Sequence, residues 1–188
     1  VLLRLAARLN NDEAYARAKT LAANSSDAGK QQIGIVLLDE FGKADAAGVL
    51  LDIVSSKQSD ATKQAALNAL RHIPDDSVAV NLVKQYPSFD NAIKEKVRGV
   101  LVTRAAWSRV LAGAIAKGAI QADEVPLEQV RLMANHEDVD LRAQIEKIWG
   151  AVRAGTPEEK LAEVRRLNNE LNAGKGDPVK GKVVFELN

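Results

Sequence analysis

Along this chain apolar residues return every three or four positions, in segments separated by short polar breaks. That spacing predicts one helix after another. Leu2, Leu3 and Leu5 lead into Glu13–Ala23, together a first helix pair cut at its start. Asn24-Ser25-Ser26-Asp27 is a break rich in helix-capping residues. Lys30–Phe41 then places Ile33, Val36, Leu37, Leu38 and Phe41 on one broad face, and Gly42 closes the helix. Asp45–Ser55 follows, with Val49, Leu50, Ile53 and Val54 as its stripe.

The same unit recurs. Asp60 is the expected cap of Ala61–Ile73, with Ala66, Leu67 and Leu70 inward and Pro74 as the stop. Asp76-Ser77 opens a shorter helix carrying Val78, Leu82 and Val83, ended by Pro87. Asp90 opens Asn91–Thr103 with Ile93, Val97, Val100 and Leu101. Ala105–Lys117 pairs with it through Trp107, Val110, Leu111 and Ile115. Aligning the leading helices puts Leu38/Phe41, Leu67/Leu70 and Val97/Val100 in register, 29 and 30 residues apart. One helical hairpin cannot bury its apolar faces alone, whereas stacked hairpins share a continuous core. The expected architecture is therefore all-α: a HEAT-like α-solenoid of stacked antiparallel helix pairs over residues 1–172.

After Gly118 the pattern shifts. Pro126 starts Leu127–Ala134, residues Asn135–Asp138 turn, and Val139–Trp149 carries Leu141, Ile145, Ile148 and Trp149 before Gly150. Thr156-Pro157-Glu158-Glu159 has the residues of a capping box with proline at the first helical position. The helix it opens, to about Leu171, has only Leu161, Val164, Leu167 and Leu171 apolar, a narrow stripe suited to a terminal capping helix. Residues 173–178 (Ala-Gly-Lys-Gly-Asp-Pro) read as a linker.

Composition sharpens this picture. Apolar residues make up 46% but aromatics only 4%, so Ala, Leu, Val and Ile must build the core. Lys plus Arg number 26 against 25 Asp plus Glu, which removes the general electrostatic case for nucleic acid as a partner. With no cysteine there is no disulfide, thiolate nucleophile or Cys-based metal site in the chain. No apolar run approaches the ~18–20 residues needed to span a bilayer. The chain begins at Val1 rather than Met, as an excised fragment would, so a targeting segment is not expected to be visible.

Candidate chemistry is sparse. Gly176-Asp177-Pro178-Val179-Lys180-Gly181-Lys182 matches seven positions of a phosphate-binding loop, but Val183 stands where a magnesium-ligating Ser or Thr is needed. It also follows a charged helix rather than a buried strand, and the match reads as coincidence. His72 falls at a helix end, and His136, next to Asp138, reads as part of a turn network rather than an acid–base pair. Trp107 and Trp149 are the expected anchors of helix interfaces. Lys84, Lys94, Lys96, Arg98, Arg104 and Arg109 outnumber Asp90 and Glu95 in one stretch. They form either an anion-binding patch or a solvated outer face, and overall neutrality favours the second. No catalytic, cofactor-binding or metal-ligating residue is assigned, and the chain is not expected to be an enzyme.

From Trp107 onward the sequence resembles a known family. The residues are Trp107, Val110, Leu111 and Ile115, then Gly118 and Ile120, then Leu132, His136, Asp138, Leu141 and Arg142, and finally Lys147, Trp149 and Gly150. They are similar to the large planctomycete-type multidomain haem-binding proteins, often labelled membrane-bound dehydrogenases. In these a β-propeller is followed by HEAT-like repeats and a C-terminal cytochrome c domain. Gly176-Asp177-Pro178, Gly181, Val184 and Phe185 resemble the start of a class I cytochrome c, in which the small residue and the aromatic pack the first helix against the last.

That resemblance implies that residues 173–188 are a linker and the truncated first helix of a cytochrome c domain. The Cys-x-x-Cys-His that binds haem c covalently is then expected shortly after Asn188. It implies a scaffold or linker role within an electron-transferring parent, with the propeller and the cytochrome as neighbouring partners. It also implies a periplasmic or cell-surface location. The chain itself holds no haem ligand, and Met133 is read as part of a repeat helix. The alternative is a free-standing HEAT-type scaffold that binds another protein.

Overall fold

A computed structural model describes residues 11–24, 27–150, 161–162 and 164–169. Among them all regular structure is helical, with no strand. The chain divides into two compact units, Val1–Val152 and Arg153–Asn188. The first contains α1 (Asp12–Asn24), α2 (Ala28–Phe41), α3 (Ala47–Ser55), α4 (Asp60–Leu70) and α5 (Ser77–Gln85). It continues with α6 (Asn91–Leu101), α7 (Ala105–Ala116), α8 (Leu127–Ala134) and α9 (Val139–Trp149). Short 3-10 turns at Ala44–Ala46, Tyr86–Ser88 and Ala122–Glu124 join some of them.

Local chemistry sets the boundaries. The first backbone N–H groups of a helix lack partners, and a short polar side chain supplies one. Asp27 accepts from the N–H of Gly29 and Lys30 at 2.8 and 3.1 Å, Asp90 from Ile93 at 2.9 Å, and Asp138 from Leu141 at 2.9 Å. Gly42 takes the left-handed conformation (φ 58°) and closes α2 through its N–H to Leu38 O. One expected cap moves. Ser59, not Asp60, caps α4, accepting from Thr62 N at 3.3 Å. Asp60 becomes the first helical residue, where a carboxylate complements the positive end of the helix dipole. The expected helix to Ile73 also ends at Leu70, because the N–H groups of Arg71, His72 and Ile73 each bond back three residues and tighten the chain into a turn. Asn91–Thr103 likewise ends at Leu101 and Ala105–Lys117 at Ala116.

Within this first unit each helix packs against the next or the next but one. Contacts join α1 to α2 and α3, α2 to α4, α3 to α4 and α5, α4 to α6, α5 to α7, α6 to α7, and α9 to both α7 and α8. The register holds, for Leu38, Leu67, Leu70, Val97 and Val100 are all buried and Phe41 packs at the core's edge. It also extends one unit further, since Val130 and Met133, 33 residues beyond Val97 and Val100, are buried as well.

Ile33 breaks its expected assignment. It is 51% exposed, while Gln31, Gly34 and Ile35 are buried. Gly34 sits so close to α1 that an added Cβ would lie 2.4 Å from Ala22 N and 2.9 Å from Ala18 O. Turning Gly34 inward turns its neighbour Ile33 about 100° around the helix, towards water. A glycine and a glutamine had read as gaps in the hydrophobic stripe, yet they mark the face.

In the second unit residues 161–162 and 164–169 are helical, and Leu161, Val164 and Leu167 are exposed. Leu2, Leu3, Leu5, the Thr156–Glu159 helix start, Leu171, the 173–178 linker and the segment to Asn188 lie outside the described residues. The phosphate-loop look-alike lies outside them too.

Candidate functional site

The chemistry-bearing side chains of the first unit are mostly turned inward, onto one another and onto turns of the backbone. Arg104, just before α7, donates to Ile73 O at 2.9 Å and to Arg71 O. Those carbonyls lie in the turn that follows α4. Its guanidinium also lies 4.3 Å from the ring of Trp107, a cation–π contact. Trp107 is fully buried and its indole N–H donates to Asp76 Oδ1 at 2.9 Å. His136 Nε2 donates to Val102 O at 3.0 Å, and His72 Nδ1 lies 2.6 Å from Asp39 Oδ1. Each bond has at least one end in an inter-helix turn.

A second group surrounds Tyr86. Its ring is buried, its hydroxyl donates to Glu124 Oε2 at 3.0 Å, and Arg98 donates to the same hydroxyl. Glu124 lies 3.9 Å from both Arg98 Nη1 and Lys94 Nζ, and the Lys94 ammonium is 5.2 Å from the Tyr86 ring. Burial raises the Tyr86 hydroxyl above its ordinary pKa; the Arg98 charge opposes this and Glu124 adds to it. Arg98 is only 9% exposed and its Nε has no partner.

A third group closes the start of the unit. The Tyr15 hydroxyl donates to Asp45 Oδ1, and Lys19 pairs with Asp45 Oδ2 at 3.1 Å. Lys43 pairs with Asp12 at 3.0 Å and lies 4.6 Å from the Tyr15 ring. Burial first, then the bond to Asp45 and its charge, raise the Tyr15 pKa well above the usual value. The hydrogen bond from Tyr15 holds Asp45 below its usual value; burial opposes it, and the Lys19 bond and charge reinforce it.

Among the described residues eight side-chain hydrogen bonds join residues 30 to 34 positions apart. The chain therefore returns to the same neighbourhood at that spacing.

The basic stretch proves to be neither of its two expected forms. Arg98 is buried on Tyr86, Arg104 is half-buried on backbone carbonyls and Trp107, Lys94 is half-buried beside Glu124, and Arg109 is exposed, 3.3 Å from Asp138. Lys84 and Lys96 are exposed as well, Lys96 3.8 Å from Glu95. His136 and Asp138 do form a turn network but face different partners: His136 the backbone at Val102, Asp138 the Leu141 N–H and Arg109. Trp107 is the interface anchor expected of it. Trp149 is only partly buried, donating to Ala122 O at 3.3 Å. Met133 is buried in α8. Among the described residues no three His, Asp or Glu side chains converge as metal ligands, and no helix is long and apolar enough to cross a membrane.

Two features were missed in sequence. The tyrosine clusters give a signal only in hindsight, because their partners lie 30 and 38 residues away. The second is an open groove of about 310 Å³ between α4 and α6, lined by Gln64, Asn68, Arg71 and Gly99 among others.

The described residues thus define an all-helical protein whose polar side chains chiefly join its turns. No family model, curated protein or solved structure matches this chain.

Proposed function

We propose that the chain is a non-catalytic scaffold, a HEAT-like α-solenoid of antiparallel helix pairs. The observation that carries this is the combination of next-but-one helix packing with side-chain bonds spanning 30 to 34 residues. Repeat arrays place equivalent elements side by side at their repeat length. Of the helices adjacent in sequence, α1–α2, α3–α4, α6–α7 and α8–α9 pack together. The polar groups support the same function, since they are spent on joining turns rather than gathered around a cleft.

In an array whose units touch only their neighbours, stability is local and the ends open first. Native-state hydrogen exchange on the whole chain tests this. Protection should peak in α4–α7 and fall towards α1 and α9. Identical exchange free energies in all nine helices would instead indicate one indivisible core.

The setting we propose is a multidomain protein of the haem-binding, dehydrogenase-like type, with a c-type cytochrome following the repeats and a periplasmic or cell-surface location. Gly181 and Phe185, with the Gly176-Asp177-Pro178 sequence before them, support it. Making the parent protein alongside the cytochrome c maturation machinery should give covalently bound haem and a c-type absorption spectrum. A colourless parent would remove the cytochrome setting and leave the free-standing interaction scaffold.

A further inference from the structure

Most polar side chains near the inter-helix turns are already engaged, and one stripe stands apart. Gln64, Asn68 and Arg71 lie along α4 at spacings of four and three, which places them on one face. Among the described residues none of these three side chains makes a hydrogen bond or ion pair. All three line the groove against α6, whose floor includes Leu67, Val100 and Gly99. Asn68 alone of the three also lines a smaller groove against α2. A Cβ at Gly99 would meet nothing within 4 Å. A glycine inside a helix is less stable than alanine there, and no neighbour in this chain requires it. What its missing side chain does is keep the groove open.

We propose that this groove binds an extended polypeptide segment bearing an acidic side chain, a partner class that rests on the scaffold function above. The geometry points to it in two ways. Side-chain amides carry both a donor and an acceptor, as a peptide main chain does. Gln64 and Asn68 are four helical residues apart, a rise of about 6 Å. Alternate residues of an extended chain, which present their N–H and C=O to the same side, repeat at about 6.6 Å. A strand lying along α4 therefore meets one amide with every second residue. Arg71, one turn further on, has no carboxylate partner, while Lys96 across the groove already has Glu95 at 3.8 Å. The groove's uncompensated charge is positive and selects Asp or Glu at that end of the peptide.

The test is selection from a displayed library of random heptapeptides on the whole chain, with counter-selection on Gly99→Leu. Enriched clones are then measured as synthetic peptides by calorimetry. Gly99→Leu fills the groove without meeting any atom near its Cβ, and Gly48→Leu, equally open but on α3, is the control. Circular dichroism checks that both variants keep their helix. The expected clones carry an acidic residue at a constant position and bind wild type and Gly48→Leu alike. They lose about tenfold or more on Gly99→Leu and on Arg71→Ala. Three results overturn the proposal: no clone that separates wild type from Gly99→Leu, clones without an acidic position, or clones indifferent to Arg71→Ala. Each leaves the helical-array function intact, because hydrogen exchange tests that separately.

Discussion

The start and the middle of the first unit solve the same packing problem by opposite means. Where Gly34 meets α1, side chains are almost absent from the interface. Ala18 and Ala22 face Gly34, and the helices approach until backbone meets backbone, with the Gln31 amide donating to Ala22 O at 3.0 Å. At the α4–α5 turn beneath α7 a fully buried indole fills the space, pinned by Asp76 and covered by the Arg104 guanidinium. One interface excludes atoms and the other depends on a large one. Addition should therefore damage the first and removal the second.

The largest expected effect is at the second. Trp107→Ala should cost about 3–5 kcal/mol, the range for truncating a buried aromatic, with the Asp76 carboxylate losing its donor as well. Urea denaturation followed by circular dichroism measures it, and a loss below about 1 kcal/mol would show that the indole is not the anchor of this junction.

At the first interface, Gly34→Ala should destabilise by about 1–3 kcal/mol through overpacking, although alanine is normally the better helix former. The sign is the discriminating result. A stabilised variant would mean that α1 and α2 are further apart than the 2.4 Å approach implies.

Trp149→Ala sharpens the comparison from a third position. A tryptophan in an aromatic-poor chain had looked like a principal anchor, but this one is partly buried with a single 3.3 Å bond to Ala122 O. A loss of about 1–2 kcal/mol is expected, within the ordinary range for single substitutions and well under that of Trp107→Ala. Equal losses at the two positions would erase the distinction between them. The Asp138→Ala variant should lose about 1 kcal/mol, the usual value of a helix cap, together with its Arg109 partner.

The smallest effect is the pH dependence of the Tyr15–Asp45 pair. Tyr15 holds its proton more tightly when folded, so its stabilisation is complete below the unfolded tyrosine value of about 10. It fades as pH rises beyond that, because the unfolded chain ionises first. Asp45 is the reverse. Its folded value is lowered, so its contribution is present above the unfolded value of 3.8 and is lost as pH falls through the folded one. Asp45 is well exposed and salt screens it, so the acid limb is shallow. In Tyr15→Phe the loss of stability above pH 10 should be smaller than in wild type; unchanged alkaline unfolding would show that Tyr15 does not couple to it.

The sequence by itself determined the helices, because a 3.6-residue apolar period, short polar breaks and proline stops are all local signals. Asp27 and Asp90 were legible as caps, and Gly42 as a terminator, for the same reason, whereas Asp138 read only as part of a turn. The alignment of Leu38, Leu67 and Val97 picked out three positions that are all buried. Tertiary structure alone decided which face of α2 turns inward. That choice rested on how closely α1 approaches, and closeness is achieved by residues that hydrophobic patterning counts as absent. It also decided the fate of the basic residues between Lys84 and Arg109. A charge run looks solvated along the chain, but Arg98 gains the buried Tyr86 hydroxyl 12 residues away, and Arg104 gains backbone carbonyls 31 and 33 residues away. Such partners follow from the tertiary fold, not from the order of neighbouring residues.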